Sequence, residues 1–374
     1  MNKEMNLFDR LRACRILNQY LVPGLILLFC GFLSACDEEE FSYLMQQAPG
    51  QVALLFNRVP FERMLKDPDL DPQIRAKLEF VLDVKTYGVE KIGLMRNKNY
   101  EIYREIDREA VVWNLTAAEP LAMTPLTWDF PVVGKVPYLG FFKKADALQK
   151  QAELENQGYD VYVRTAGAYS MLGIMADPLY STLLTMSEAD LANLVIHEMT
   201  HATVFIKGQM DFNENLALFV GNQGSYNYLA ERFGPDSEQA LYAVGSNQDD
   251  SLFSLEIMRV NNELDAMYQS DIPDQEKKAR KAEIIAAHKQ RFREEIIPQM
   301  KTDQYYKWPD KDINNATIIS RVVYYHDLTL YEDLYQAKDR DLAALVDFFK
   351  QVQEMKGVKA ESYAKEWLAK NKPS

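Results

Sequence analysis

Cysteine is scarce in this 374-residue chain, with only Cys14, Cys30 and Cys36. All three lie in the first tenth of the sequence, so the rest can hold neither an internal disulfide nor a thiolate metal site. Histidine is nearly as rare, with four copies. Basic charge is in deficit: 42 lysines and arginines face 55 aspartates and glutamates, a formal net charge of -13. That balance argues against a nucleic-acid partner, because little basic surface remains to neutralise phosphates. Internal repeats and long low-complexity segments are also missing. What remains is an ordinary globular composition, 47% hydrophobic, on a chain long enough for a sizeable core.

The first 35 residues read as a leader rather than as fold. Lys3, Arg10, Arg12 and Arg15 precede the apolar run LVPGLILLFCGFLSAC, which is short for a membrane span. It ends in Leu33-Ser34-Ala35-Cys36, which resembles a bacterial lipobox. Cleavage before Cys36 and its acylation would hold the chain at a membrane of the bacterial envelope, facing the periplasm. The DEEE run that follows is expected to be a solvated tether.

Periodicity organises the remainder. Residues 41–95 read as helical, with DPDLDPQ as the start of the main helix. Segments such as VVWNLTA and TWDFPVVGKVPYLGFF predict short strands and turns over 98–142. A helix follows over about 142–157, then a strand running into a loop through GYDVYVRTAGAYSMLGIMADP. Ser187 is placed to cap the helix that carries His197, with Glu188 and Asp190 in its first turn. A further helix is expected over about 213–233, a charged helical hairpin over 236–297, and more helix over 313–371. The fold class is therefore α+β: mainly helical, with a small mixed sheet beside the His197 helix. The expected divisions are a leader (1–35), a tether with helices (36–95), a catalytic core (96–235) and a helical region completing the cleft (236–374).

The chemistry concentrates in VIHEMTHATVFIKGQMDFNENLALFVGNQG, residues 195–224. Residues four apart on a helix share a face, so His197 and His201 can reach one divalent ion. Glu198 lies beside them, suited to take a proton from a zinc-bound water. This HExxH spacing is the signature of zinc peptidases. A catalytic site needs a third protein ligand. With no nearby histidine or cysteine, Asp211 and Glu214 are the candidates. Glu214 opens an amphipathic stretch that can pack against the first helix. Asp211 is expected to cap that second helix, and Gly208 to be the C-cap that ends the first, which runs through VIHEMTHATVFIK. The cofactor expected is one Zn2+.

HEMTH followed by Asn213-Glu214 resembles the gluzincin peptidases. More specifically, the blocks VVWNLTA, TWDFPVVGKVPYLGFF, GYDVYVRTAGAYSMLGIMADPLYST, HEMTHATVFIKGQMDFNENLALFV and NNATIISRVVYY are similar to those of the bacterial predicted-aminopeptidase lipoproteins. The resemblance implies a zincin-like core, peptide substrates and membrane attachment through Cys36. It implies a substrate-binding edge strand at Ala168, Tyr169 and Ser170, and an oxyanion donor, for which Tyr324, Tyr325 and His326 after the Asn314-Asn315-Ala316 helix entry are the candidates and Tyr325 the choice. The chain departs from this family in two places: Asp129 and Lys135 stand where relatives often carry cysteines, and Gly221 and Gln223 where they tend to carry acids. Against the thermolysin-like enzymes there is one more gap: Leu218 stands where they carry an aspartate that orients a zinc histidine, so another group must do so here. Among the other residues, His288 lies in a Lys/Arg/Glu-rich helix and is expected to be solvated. The leading function is a zinc metallopeptidase, an aminopeptidase. The alternatives are a zinc endopeptidase on the same scaffold and a non-catalytic zinc-binding envelope lipoprotein. Oligomeric state is not readable from the sequence.

Overall fold

The computed structural model describes residues 38–130, 134–167, 176–322 and 327–371. Cys36, Ala168, Tyr169, Ser170 and Tyr325 lie outside them. Helix α1 (Glu38–Ala53) begins within the acidic run, so the backbone from Glu38 to Glu40 is helical. The next stretch is not all helix either. Strand β1 (Arg58–Pro60) and the short α2 (Phe61–Leu65) precede α3 (Pro72–Glu90). Helix α3 starts where the sequence asks it to. Asp71 accepts from the backbone N–H groups of Gln73 and Ile74, and Pro72 fills the first turn, where its missing N–H costs nothing.

Strand β1 escaped the sequence reading because its partner is distant. It pairs antiparallel with β2 (Ile102–Arg104), with Arg58 opposite Arg104. A three-residue strand has no periodicity of its own, and only its partner defines it. Strand β3 (Val112–Ala118) is almost wholly buried. The hairpin β4 (Trp128–Phe130) and β5 (Gly134–Val136) places Asp129 directly opposite Lys135, so these two stand as cross-strand neighbours. Strand β6 (Leu139–Phe141), helix α4 (Lys144–Asn156) and strand β7 (Asp160–Ala166) follow. Antiparallel pairing gives the order β6-β3-β7, with Trp113 opposite Phe141 and Thr165. Phe130, Leu139, Ala147 and Leu154 pack with Trp113 and Leu115 into a small core of their own.

Strand β8 (Leu179–Tyr180) pairs parallel with β2, which makes β1-β2-β8 the mixed sheet. One 3-10 turn, Ser181–Leu183, separates it from α5 (Glu188–Thr203). Helix α6 (Met210–Phe233) packs along α5. Helices α7 (Glu238–Tyr268) and α8 (Asp274–Arg291) form the hairpin, and α9 (Asn315–Val322), α10 (Thr329–Ala337), α11 (Leu342–Gln353) and α12 (Ala360–Asn371) complete the chain. The architecture is thus mainly helical, with small sheets, in the α+β class. The main core runs through Val81, Val84, Leu191, Ile196, Leu216, Val220, Tyr331 and Phe349.

The hairpin overturns one expectation. His288 is fully buried, not solvated. The rest of α8 is mostly exposed, but position 288 faces α7, where its Nδ1 lies 2.8 Å from Glu256 Oε1. Trp308 Nε1 donates to His288 Nε2 at 3.0 Å. The indole can only donate, so Nε2 accepts and Nδ1 carries the proton shared with Glu256. Arg291 Nε donates to the same carboxylate oxygen at 2.8 Å. Burial opposes charge on Glu256, but the hydrogen bonds from His288 and Arg291 outweigh it and hold its pKa below the usual value. A lowered folded value stabilises the protein above the ordinary glutamate range, and the gain fades as pH falls through the folded value. Glu256→Ala leaves the His288 imidazole N–H without its acceptor and Arg291 with only the longer bond to Glu263 at 3.4 Å. It is expected to cost about 3–5 kcal/mol, read as a lower urea midpoint at neutral pH. An unchanged midpoint would show that the cluster contributes nothing.

Candidate metal centre

Helix α5 starts at Ser187, whose hydroxyl accepts from Asp190 N at 3.0 Å and donates to Asp190 Oδ2 at 2.7 Å. Glu188 and Asp190 lie in the first turn, where the helix dipole favours negative charge. Leu191, Ala192, Val195, Ile196 and Met199 are buried on its core face. His197, Glu198 and His201 are half-buried on the adjoining stripe.

The helix stops at Thr203, four residues before Lys207. Gly208 is therefore not its C-cap. It sits in the following turn at φ +80°, in the left-handed region that glycine adopts without strain. Asn213 holds this turn: its side chain accepts from Ile206 N at 2.8 Å and donates to Ile206 O at 3.0 Å. Asp211 is not a cap either. The N-cap of α6 is Gln209, and Asp211 lies exposed in the first turn. Gln209 instead reaches α12, donating to Val358 O at 2.8 Å and accepting from Ala360 N at 2.9 Å.

Two glycines let α5 and α6 approach closely. A Cβ on Gly221 would stand 2.8 Å from Asn193 Oδ1 and 3.3 Å from His197 Cβ. One on Gly224 would meet Ile196 Cγ2 at 3.1 Å and Ile92 Cδ1 at 2.9 Å. An acid at position 221 has no room in this packing.

This approach brings Glu214 to the histidines. His197 Nε2 and His201 Nε2 are 3.0 Å apart. Glu214 Oε2 lies 3.7 Å from the first and Glu214 Oε1 3.5 Å from the second. Among the described residues, these three are the group of histidine, cysteine and acid side chains close enough to share one ion. With zinc–nitrogen bonds of about 2.0–2.1 Å, tetrahedral ligands stand about 3.3 Å from one another. The three observed separations bracket that value, so the donor set fits zinc.

The electrostatics are those of a compact, partly dry cluster. Burial raises the Glu198 pKa above the usual carboxylate range, and the negative charges of Asp177 and Glu214 add to it, against His201. Burial alone would lower His201, but its hydrogen bond and charge pairing with Glu214, helped by Glu198, raise it overall. His201 Nδ1 is buried and has no partner among the described residues. The described side chains therefore leave open which group orients His201, and Leu218 cannot.

Two residues that the sequence reading missed belong to the electrostatic surroundings of Glu198. Tyr100 is buried, and its hydroxyl pKa is pushed well up by that burial and then by the charges of Glu198 and Asp177. Its backbone N–H donates to Asp177 O at 2.8 Å. The supporting loop is tied by Lys85, buried in α3, which donates to Asn97 O, Asn99 O and Glu101 Oε1 at 2.7–2.9 Å. Tyr100 adopts φ +57°. Nothing local in Asn97-Lys98-Asn99-Tyr100 announces either that conformation or the hydrogen bond to Asp177, 77 residues further along. A cavity of about 660 Å³ lies elsewhere, among Tyr43, Trp128, Phe130, Asp146 and Lys150, and includes none of these residues.

A mainly helical α+β chain with a two-histidine, one-carboxylate cluster defines the class. Residues 42–367 match the family model described as "Putative aminopeptidase", and the chain belongs to that family. No match was found among curated proteins or among solved structures.

Proposed function

We propose that this protein is a zinc-dependent aminopeptidase with a zincin-like core, held at the bacterial envelope by acylation of Cys36. The observation that supports it best is the convergence of His197 Nε2, His201 Nε2 and Glu214 within 3.0–3.7 Å of one another, with Glu198 beside them. Those three side chains would hold the ion. When bound, zinc supplies Lewis acidity toward the scissile carbonyl and toward water. Glu198 takes the proton of the attacking water on its carboxylate and returns it to the leaving amine. Its raised pKa brings it nearer the working pH of such a base. Tyr325 is assigned to the oxyanion and residues 168–170 to the peptide backbone by resemblance alone.

An endopeptidase would use the same zinc chemistry, and the family description favours the exopeptidase. A non-catalytic site would have no use for Glu198. The test is zinc content and hydrolysis measured together on the purified chain, with peptides bearing free and acetylated N-termini. One zinc per chain is expected, with cleavage of free N-termini only. Chelation should abolish hydrolysis, and added zinc should restore it. Cleavage of acetylated peptides would establish the endopeptidase, and zinc without any cleavage the non-catalytic reading.

A further inference from the structure

Helix α1 has two apolar faces. At about 100° per residue, Tyr43, Gln47 and Gly50 point one way and Leu44, Met45, Ala48 and Val52 largely the other. The inner face is fully engaged. The Tyr43 hydroxyl donates to Gly140 O at 2.6 Å and accepts from Gly140 N at 3.0 Å, closing the edge of β6. Gln47 Oε1 accepts from Phe142 N at 3.0 Å. A Cβ on Gly50 would fall 2.3 Å from Phe142 Cβ, and Leu54 is buried just beyond the helix. The outer face is open. Met45 and Val52 are each 49% exposed on it, with Leu44 also exposed, and in the turn just beyond the helix Leu55 is exposed and Phe56 63% exposed. A run of five large exposed apolar side chains within thirteen residues is not ordinary surface.

We infer that this outer face lies on a lipid surface, as a second contact beside the Cys36 anchor. The inference rests on the acylation of Cys36 proposed above. Cys36 is two residues before Glu38, and two residues span at most about 7 Å. The start of α1 is thereby fixed at the membrane, and its uncovered stripe begins only six residues further along. An apolar helix face at an interface sinks about 5–10 Å into the headgroup and acyl boundary. The charge pattern selects the lipid. Four acids, Asp37 to Glu40, precede the stripe and α1 contains no lysine or arginine, so anionic headgroups would repel it. A zwitterionic surface, entered by apolar contact alone, is the partner that fits. The β6-β3-β7 sheet, bound to the inner face, then becomes the membrane-proximal layer.

The experiment uses the full, processed chain in phosphatidylcholine vesicles, with mass spectrometry of Cys36 to establish acylation. Met45→Cys, Phe56→Cys and, on the polar flank, Gln46→Cys each carry a nitroxide label. Labels at 45 and 56 are expected to be relaxed more by oxygen than by a water-soluble nickel chelate, with the reverse at 46. Acylated Cys36 with all three labels equally open to the chelate would overturn the second contact and leave the anchor standing. Unacylated Cys36 would remove the anchor reading and this one with it. Spin–spin broadening between labels at 45 would assign the face to a second copy of the chain and also overturn the inference.

Discussion

Glu198→Gln is expected to lower peptide hydrolysis by about 10²–10⁴-fold while leaving the zinc content of the protein unchanged. Glutamine keeps the size and much of the hydrogen-bonding capacity of the side chain but cannot accept a proton. Glu198 is not among the three groups that converge on one point, so its replacement leaves His197, His201 and Glu214 in place. The pH profile sharpens the test. Burial, with Asp177 and Glu214, raises the Glu198 pKa, and a general base works only when deprotonated. Activity should therefore climb with pH as Glu198 loses its proton, and the residual activity of the variant should lack that limb. Loss of zinc in Glu198→Gln, or hydrolysis within a few-fold of wild type, would remove Glu198 from the role of base.

Glu214→Ala is expected to take the zinc-to-protein ratio from near one to near zero after dialysis, and the activity with it. Two histidines alone leave the ion short of the three protein ligands of a catalytic site. Glu214 is 42% exposed at the side chain and stands in the first turns of α6, away from the buried face, so its removal should not unfold the helix pair. Far-ultraviolet circular dichroism should match zinc-free wild type. Asp211→Ala is the matched comparison: it is exposed, lies one turn earlier, and takes no part in the cluster. Should Asp211→Ala lose zinc while Glu214→Ala keeps it, the ligand assignment is reversed.

Much of the fold was legible where a short segment carries its own instruction. Asp71-Pro72 and Ser187 with Glu188 and Asp190 start their helices through hydrogen bonds made within four residues, and such local chemistry is visible in any window of sequence. The strands of 98–142 announced themselves by β-branched and aromatic residues between turn signals. Readings failed where the deciding partner was distant in the chain. The β1 strand exists because β2 lies opposite, and His288 is buried because α7 and Trp308 enclose it. Asp211 and Gly208 are reasonable candidates for caps, yet α5 ends at Thr203 and α6 begins at Met210. Asn213 and Gln209 pin the turn through Ile206, Val358 and Ala360 instead.

By itself, the sequence determined that His197 and His201 share one helix face, with Glu198 about 100° round from His197, because the 3.6-residue period fixes those azimuths. It also narrowed the third ligand to two acids. Only the tertiary structure decided how near Glu214 comes, because that distance is set by two helix axes. Gly221 and Gly224 let those axes approach, and no local propensity records the depth of such a contact. The surroundings of Glu198 were likewise a tertiary matter. Asp177 adds its charge from a segment that Tyr100 binds, and burial, more than the motif, raises the carboxylate's affinity for its proton.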